Sequence, residues 1–576
     1  MNIIDIIPIA KGDRPADVLL KNCRIVNVFT GEIEESNIAL FKKRIAGIGD
    51  YTDGVREIDV RGNFVVPGLI DAHMHIESSM LSPMEFIKTV LRRGTTTLIA
   101  DPHEIANVFG LKGIKYMLDS TEGLPINLYF MIPSAVPATN METSGAKISV
   151  MDMIGFVEKF RRVSGLGEVM NYPDILNLDE NSIAKIELIR HKYKPIDGHS
   201  PGLSGKDLNA YIDAFVRSDH ECNEYEEAYE KVSRGMQLLI REGSTERNMI
   251  DLLPVLNEKT FPYISFCTDD KHPGDILKEG HIDFMINKAI KNGIDPITAI
   301  RCSTINTANH YHLRSMGAIA PGYKADILIV EDLENFYPKI VIKDSEIVAE
   351  NGELVKEFDR RYLPLEEINS FKCPYFEKED FKVIAKGKKI NVIKVLPDIV
   401  MTKKRIMNAK IENNEVVQDI DNDILKISVI CRYTEEKSHS LGFVNGTSLK
   451  EGAVATSVGH DSHNMAVLGT NDEDMVLAAN RCITLGGGLI VANKGKIVEE
   501  LSLPIAGLMS DLTGEEVAEK INDLKRILHK MGCKIPDLFM TLSFIQLSVI
   551  PDFRITNLGL VDSENHEFCS LFYKGN

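Results

Sequence analysis

No stretch of the 576 residues reaches the ~18 consecutive apolar side chains of a membrane span. The opening Met1-Asn2-Ile3-Ile4-Asp5-Ile6-Ile7-Pro8 has neither the basic start nor the long apolar core of a secretory leader, so a cytosolic protein is expected. The nine cysteines are scattered, odd in number and never spaced Cys-x-x-Cys, which points to reduced thiols rather than a disulfide framework. Internal repeats and low-complexity tracts are missing. Positive charge is in deficit: 66 Lys and Arg against 84 Asp and Glu leave a net −18, a poor match for a nucleic-acid backbone or an anionic membrane. Aromatic side chains are not interleaved with basic ones, which disfavours single-stranded nucleic acid. Gly486-Gly487-Gly488 lacks the Lys-Ser/Thr of a phosphate-binding loop and reads as a turn.

What is present is a 44% hydrophobic content, enough for large cores. The length suits three or four domains of roughly 100–200 residues each. Short apolar runs between turn signals (Ala16–Leu20, Arg24–Val28, Ile45–Ile48) read as short antiparallel strands, and Ala325–Val330 and Ile340–Ile342 have the same character. Between them, strand-like runs such as Thr96–Ala100, Ile126–Met131 and Tyr263–Cys267 alternate with helix-like stretches. This is the pattern and the size, ~250 residues, of a TIM-type barrel. The expected fold is therefore α/β: a (β/α)8 barrel over 67–315, and a small β-sandwich assembled from 1–66 and 316–365 on both sides of it. A C-terminal α+β domain over 366–576 follows, with an amphipathic helix near 514–531.

In such a barrel the chemistry sits at the C-terminal ends of the strands. The run Val65–Ala72 ends in His73-Met74-His75. Residues two apart on a strand face the same way, so these two imidazoles converge on one metal. Other runs end in Glu168, in His199, in the stretch Asp219-His220-Glu221, and in Asp269-Asp270. Any one of them is an ordinary loop residue; together, four histidines and two carboxylates at separate strand ends are hard to explain structurally. Imidazole with carboxylate suits zinc, iron or manganese. His460-x-x-His463 with Asp461 lacks a third ligand of suitable spacing and reads as a hydrogen-bonded cluster or a loop over the barrel mouth. Arg241 follows the run Met236–Ile240, as a pocket residue or a cap of the next helix.

Over roughly 15–350 the chain resembles the amidohydrolase superfamily, including the return Gly317–Asp326 from barrel to sandwich. Within it the chain resembles specifically the bacterial adenine deaminase family. That likeness is carried by His75–Met80, Asp101–Ile105, Gly198–Gly202 and Cys267–Asp270, and by Ser457–Asn464 and Leu503–Met509 near the C-terminus. The resemblance implies hydrolytic deamination of adenine to hypoxanthine and ammonia by a metal-bridged hydroxide. It implies two divalent ions, manganese or iron ahead of zinc. His73 and His75 would bind the first, His199 and His220 the second, and Glu168 would bridge them where many superfamily members use a carboxylated lysine. Asp269, taken ahead of Asp270 because it comes first after the strand, would close the first site and carry protons. Glu77, His103 and Glu104 would lie over the purine or support the ligands. The partner implied is a small molecule, adenine, with neither nucleic acid nor membrane, in a homo-oligomer by analogy. The alternatives are another amidohydrolase acting on a cyclic amide or a different aminopurine, and a metal-bearing scaffold without turnover. A cytidine-deaminase-like zinc fold is excluded, because no Pro-Cys-x-x-Cys follows His75-Ile76-Glu77.

Overall fold

The computed structural model describes residues 2–358, 368–396 and 399–573; the expected boundary at 365/366 lies outside them. The N-terminal strands are β1 (Ala16–Asn27), β2 (Glu32–Phe41), β3 (Arg44–Gly49), β4 (Gly54–Asp59) and β5 (Phe64–Pro67). The two short strands expected over 16–28 are one: β1 runs through a register shift between Leu20 and Cys23 opposite β2. Asn22, at the shift, takes a left-handed φ of 57°, a conformation asparagine tolerates better than most side chains. Nor is the pairing all antiparallel, since β1 runs parallel to β4 and to β5.

Next come eight parallel strands in two sheets. β6 (Leu69–Met74), β7 (Thr95–Ala100), β8 (Asn127–Ile132), β9 (Val163–Val169) and β10 (Ile196–Gly198) form a curled five-stranded half-barrel. β11 (Ser218–Asp219), β12 (Gln237–Arg241) and β13 (Ile264–Cys267) form the second sheet. All residues of β6, β7, β12 and β13 are buried, as strands covered on both faces require. Backbone bonds join the sheets at both seams: Asp269 N to His73 O at 3.0 Å, and Arg217 N to Ile196 O at 3.1 Å. Helices pack between the strands. Pro83–Leu91 begins with Ser82 as its cap and proline at its first turn, and its apolar face is buried.

The chain then returns to the first sheet through β14 (Ile327–Val330), β15 (Pro338–Lys343), β16 (Glu346–Glu350) and β17 (Glu353–Leu354). β14 pairs antiparallel with β5, which gives a nine-stranded sheet drawn from both sides of the parallel strands. Ile25, Ile38 and Val65 share its core with Ile327 and Ile342.

Residues beyond 368 form an eight-stranded sheet with helices Asp472–Leu485 and Gly514–Lys530. The second helix starts with a Thr513/Glu516 capping box and buries Val517, Ile521, Leu524 and Leu528 on one face. This segment docks on the parallel strands. Ser510 N donates to Met80 O at 2.8 Å, Ser82 N donates to Ser510 O at 3.1 Å, and one hydrophobic core runs through both parts. The nine cysteines are unpaired. No helix among the described residues is long and apolar enough to cross a membrane.

Candidate metal centre

The ends of β6, β9, β10, β11 and β13 converge. His73, the penultimate residue of β6, is fully buried; its ring stacks on His220 with centroids 4.1 Å apart and meets His75 edge-on at 4.8 Å. His75 Nδ1 donates to the Asp101 carbonyl at 2.8 Å. That bond puts the ring proton on Nδ1 and turns the Nε2 lone pair inward, as a metal ligand needs. His75 Nε2 lies 3.3 Å from Asp269 Oδ1 and 3.5 Å from Glu168 Oε1.

Glu168 is the hub. Its Oε2 is 2.6 Å from His199 Nδ1 and 3.3 Å from His220 Nε2, and its Oε1 is 3.2 Å from His103 Nδ1. Local sequence fits this crowding. Glu168 N donates to Asp101 Oδ2 at 3.0 Å, and a Cβ on the preceding Gly167 would collide with that carboxylate. Only glycine lets Asp101 reach across. Asp269 sits in left-handed backbone with φ 54°. Held there by the Asp269 N bond to His73 O, it aims Oδ1 at the histidines while Oδ2 accepts from Arg241 Nη1 at 2.9 Å.

Among the described residues, four groups bring ligand atoms within 4.8 Å of one another: His73, His75 and Asp269; His73, Glu168 and His220; His75, His103 and Glu168; His199, His220 and Glu221. The environment fits cations. Both His73 nitrogens and His220 Nδ1 are buried without a hydrogen-bond partner, an expensive state that a bound ion would relieve at nitrogens facing it. Burial alone would keep these histidines neutral, and it pushes His73 well below its usual range, helped by His220 and His75. For His199, burial is outweighed by Glu221 and Glu168, which raise it to about 9. His75 and His103 also rise against burial: Asp269, Asp270 and Glu168 act on His75, and Glu104 and Glu168 on His103. Glu168 stays ionised despite burial because His103, His199 and His220 bond to it. Asp269 does so because of His75 and Arg241. The pocket thus calls for positive charge, which divalent ions would supply.

Of the residues expected from sequence, His73, His75, Glu168, His199, His220 and Asp269 all meet here. His103 joins them through Glu168. Glu77 and Glu104 do not enter the ligand groups. Glu77 Oε1 accepts from Ile105 N at 3.2 Å, its Oε2 is buried without a partner, and burial raises it to about 7. Glu104 lies between His103 and the C-terminal segment: His103 Nε2 is 3.5 Å and His460 Nδ1 2.7 Å from Oε1, and His463 Nε2 contacts Oε2. His460 and His463 do form a cluster lying against the strand ends. Asp270 turns towards His460 at 3.9 Å. Two residues named in the sequence outside the implied ligand set also belong to the centre. Glu221 Oε1 lies 3.4 Å from His220 Nε2 and 3.7 Å from His199 Nδ1. Arg241 pairs with Glu221 as well as with Asp269. Glu221 follows His220 directly at a strand end, a signal available in the sequence; the Arg241 pairings join separate strands and leave no local trace.

The amidohydrolase family matches residues 64–355 and the adenine deaminase C-terminal domain matches residues 399–567. A histidine-rich centre at the ends of parallel strands, within the first of these matches, defines the class as an amidohydrolase. The adenine deaminase of Kosmotoga olearia is 67% identical over 99% of each chain. That of Thermosipho africanus is 54% identical over 99% of this chain and all of its own. The chain belongs to the adenine deaminase family. Among solved structures, an enamidase covers 59% of this chain and 98% of its own at 18% identity, with a TM-score of 0.45.

Proposed function

We propose that this chain deaminates free adenine by hydrolysis, giving hypoxanthine and ammonia in purine salvage. The observation that carries the reading is the buried convergence of His73, His75, Glu168, His199, His220 and Asp269 in a chain 67% identical, end to end, to a protein named adenine deaminase. The eight parallel strands are read as a closed (β/α)8 barrel over 67–315, supported by backbone bonds at both seams. The nine-stranded sheet is read as a sandwich domain from 1–66 and 316–365, and 366–576 as a separate α+β domain. The enzyme is read as a cytoplasmic homo-oligomer, by analogy with other barrel enzymes.

His73, His75 and Asp269 would hold one divalent ion and His199 and His220 the other, with Glu168 between them; manganese or iron is favoured over zinc by the family likeness and the mixed imidazole–carboxylate set. Such ions, when bound, bring water to an ionised, nucleophilic state near neutral pH. The reaction forms a C6–O bond and breaks the C6–N bond of adenine. Of the two protons of water, one ends on the leaving amine and one on the purine ring. Asp269 is placed to move the first: Arg241 keeps it ionised, and its Oδ1 faces the histidines. Glu77, with a buried and unpartnered Oε2, is the group that serves the ring nitrogen. Glu104 and His103 orient the ring.

The test is a steady-state assay of manganese-loaded protein, following ammonia from adenine, with adenosine and a cyclic amide in parallel. Ammonia from adenine alone is the expected result. Hydrolysis of the cyclic amide without turnover of adenine would keep the metal centre and discard the substrate.

A further inference from the structure

The Glu104 carboxylate is approached by two side chains that lie more than half the chain away in sequence. His460 and His463 sit on the loop 457–464, and this loop is fixed from several sides. His460 N donates to Ser543 Oγ at 3.2 Å, and its ring stacks on Phe544, with centroids 4.7 Å apart and planes 26° apart. Tyr433 OH donates to Ser462 O at 2.5 Å. Asn464 Nδ2 donates to Thr143 O at 2.9 Å, which ties the loop to the segment after β8. The two histidines are therefore presented by a rigid support.

The position of the His463 proton follows from its neighbours. Gly459 N–H donates to His463 Nδ1 at 3.1 Å, so Nδ1 offers its lone pair and the ring hydrogen belongs on Nε2. Nε2 is the atom that meets Glu104 Oε2. His460 Nδ1 meets the other oxygen at 2.7 Å. These are close ion-pair contacts rather than aligned hydrogen bonds, and His103 Nε2 lies 3.5 Å from Oε1 as a third neighbour. The carboxylate is thus confined between three imidazoles, with acceptor capacity left for an N–H of a ligand. Glu104, His460 and His463 are all buried, so taking both C-terminal imidazoles away would leave a buried carboxylate with His103 as its remaining cationic neighbour.

We propose that His460 and His463 are positioning residues of the deamination site. They fix the carboxylate of Glu104 so that it meets the purine in one orientation, and the C-terminal segment thereby completes a site whose other groups come from the parallel strands. This rests on Glu104 contacting the substrate, as read above. A C-terminal segment that only covered or stabilised the barrel would not need to set the Glu104 carboxylate.

The experiment is a double-mutant cycle on the metal-loaded, full-length protein with adenine. His463→Leu keeps volume and removes the donor; His463→Gln keeps a donor. His463→Leu should lower kcat/KM at least tenfold with metal content unchanged, and His463→Gln should recover at least a third of that loss on a logarithmic scale. In a Glu104→Gln background, His463→Leu should cost less than twofold. The same trio at position 460 (His460→Leu, His460→Gln and the pair with Glu104→Gln) gives the second reading if His463→Leu does not fold. A tenfold loss that persists in the Glu104→Gln background would overturn the proposal, as would a Leu variant within twofold of wild type. Wild-type protein inert towards adenine would instead remove the reading of the function, and the proposal with it.

Discussion

Two buried polar sites in this molecule are built on opposite terms. In the C-terminal sheet, Lys426 is 1% exposed and donates to Asp472 Oδ1 at 2.7 Å, to Asp472 Oδ2 at 2.9 Å and to Phe381 O at 2.8 Å. Its charge has a counter-ion and its donors have acceptors. At the ends of the parallel strands, His73 is just as buried, yet neither of its nitrogens has a hydrogen-bond partner. Carboxylates and imidazoles there crowd round Glu168 instead of pairing off. A buried charge that is fully partnered holds a fold together, whereas buried ligand atoms left open and convergent are kept for something that binds.

The largest effect should come from the hub. Glu168→Gln removes the charge that four histidines share. Turnover should fall by at least ~10³-fold, with bound metal dropping below one equivalent, measured by elemental analysis beside the ammonia assay. A variant retaining metal and activity would dissolve the distinction just drawn. Asp269→Asn should cost about 10³-fold in kcat while keeping part of the metal, because His73 and His75 remain; full activity would end the proton-carrying role given to Asp269. Lys426→Met should behave in the opposite way. It should lose about 3 kcal/mol of stability in urea titration and keep kcat within about twofold, there being no contact with the centre.

The last effect is a pH slope, with no change in turnover expected. Glu142 is buried, and burial together with Asp461 raises its carboxyl to about 8. The folded chain then holds this proton more tightly than the unfolded chain does. Between the usual 4.5 and about 8, rising pH favours unfolding, by up to about 1.4 kcal/mol per pH unit. The contribution is fully present below that window and lost above it. Glu142→Gln should flatten the fall of Tm between pH 5 and pH 8; identical slopes for variant and wild type would rule out a titrating Glu142.

How far the molecule was legible in its sequence follows from the range of each interaction. His73 and His75 were visible because strand periodicity puts residues two apart on one side. Glu168, His199, His220 and Asp269 were visible because strand ends follow apolar runs. β2 was not singled out: its first half, Glu32-Ile33-Glu34-Glu35, is exposed and carries no apolar signal, although it pairs fully with β1. The continuity of β1 was hidden because polar Lys21 and Asn22 interrupt its apolar pattern. The contact of Glu104 with His460 and His463 depends on how two distant parts of the chain dock, and no local pattern encodes that.

The sheet that closes β5 against β14 also sets a schedule. While the chain is being made, β5 emerges early with one edge paired to β1, and its other edge waits for Ile327–Val330. At about 5–20 residues per second the ribosome takes on the order of tens of seconds to deliver that strand. Throughout the delay Val65 and its neighbours present an unprotected strand edge and half a core. A nascent chain stalled before residue 327 should therefore recruit holding chaperones far more strongly than one released after Leu354.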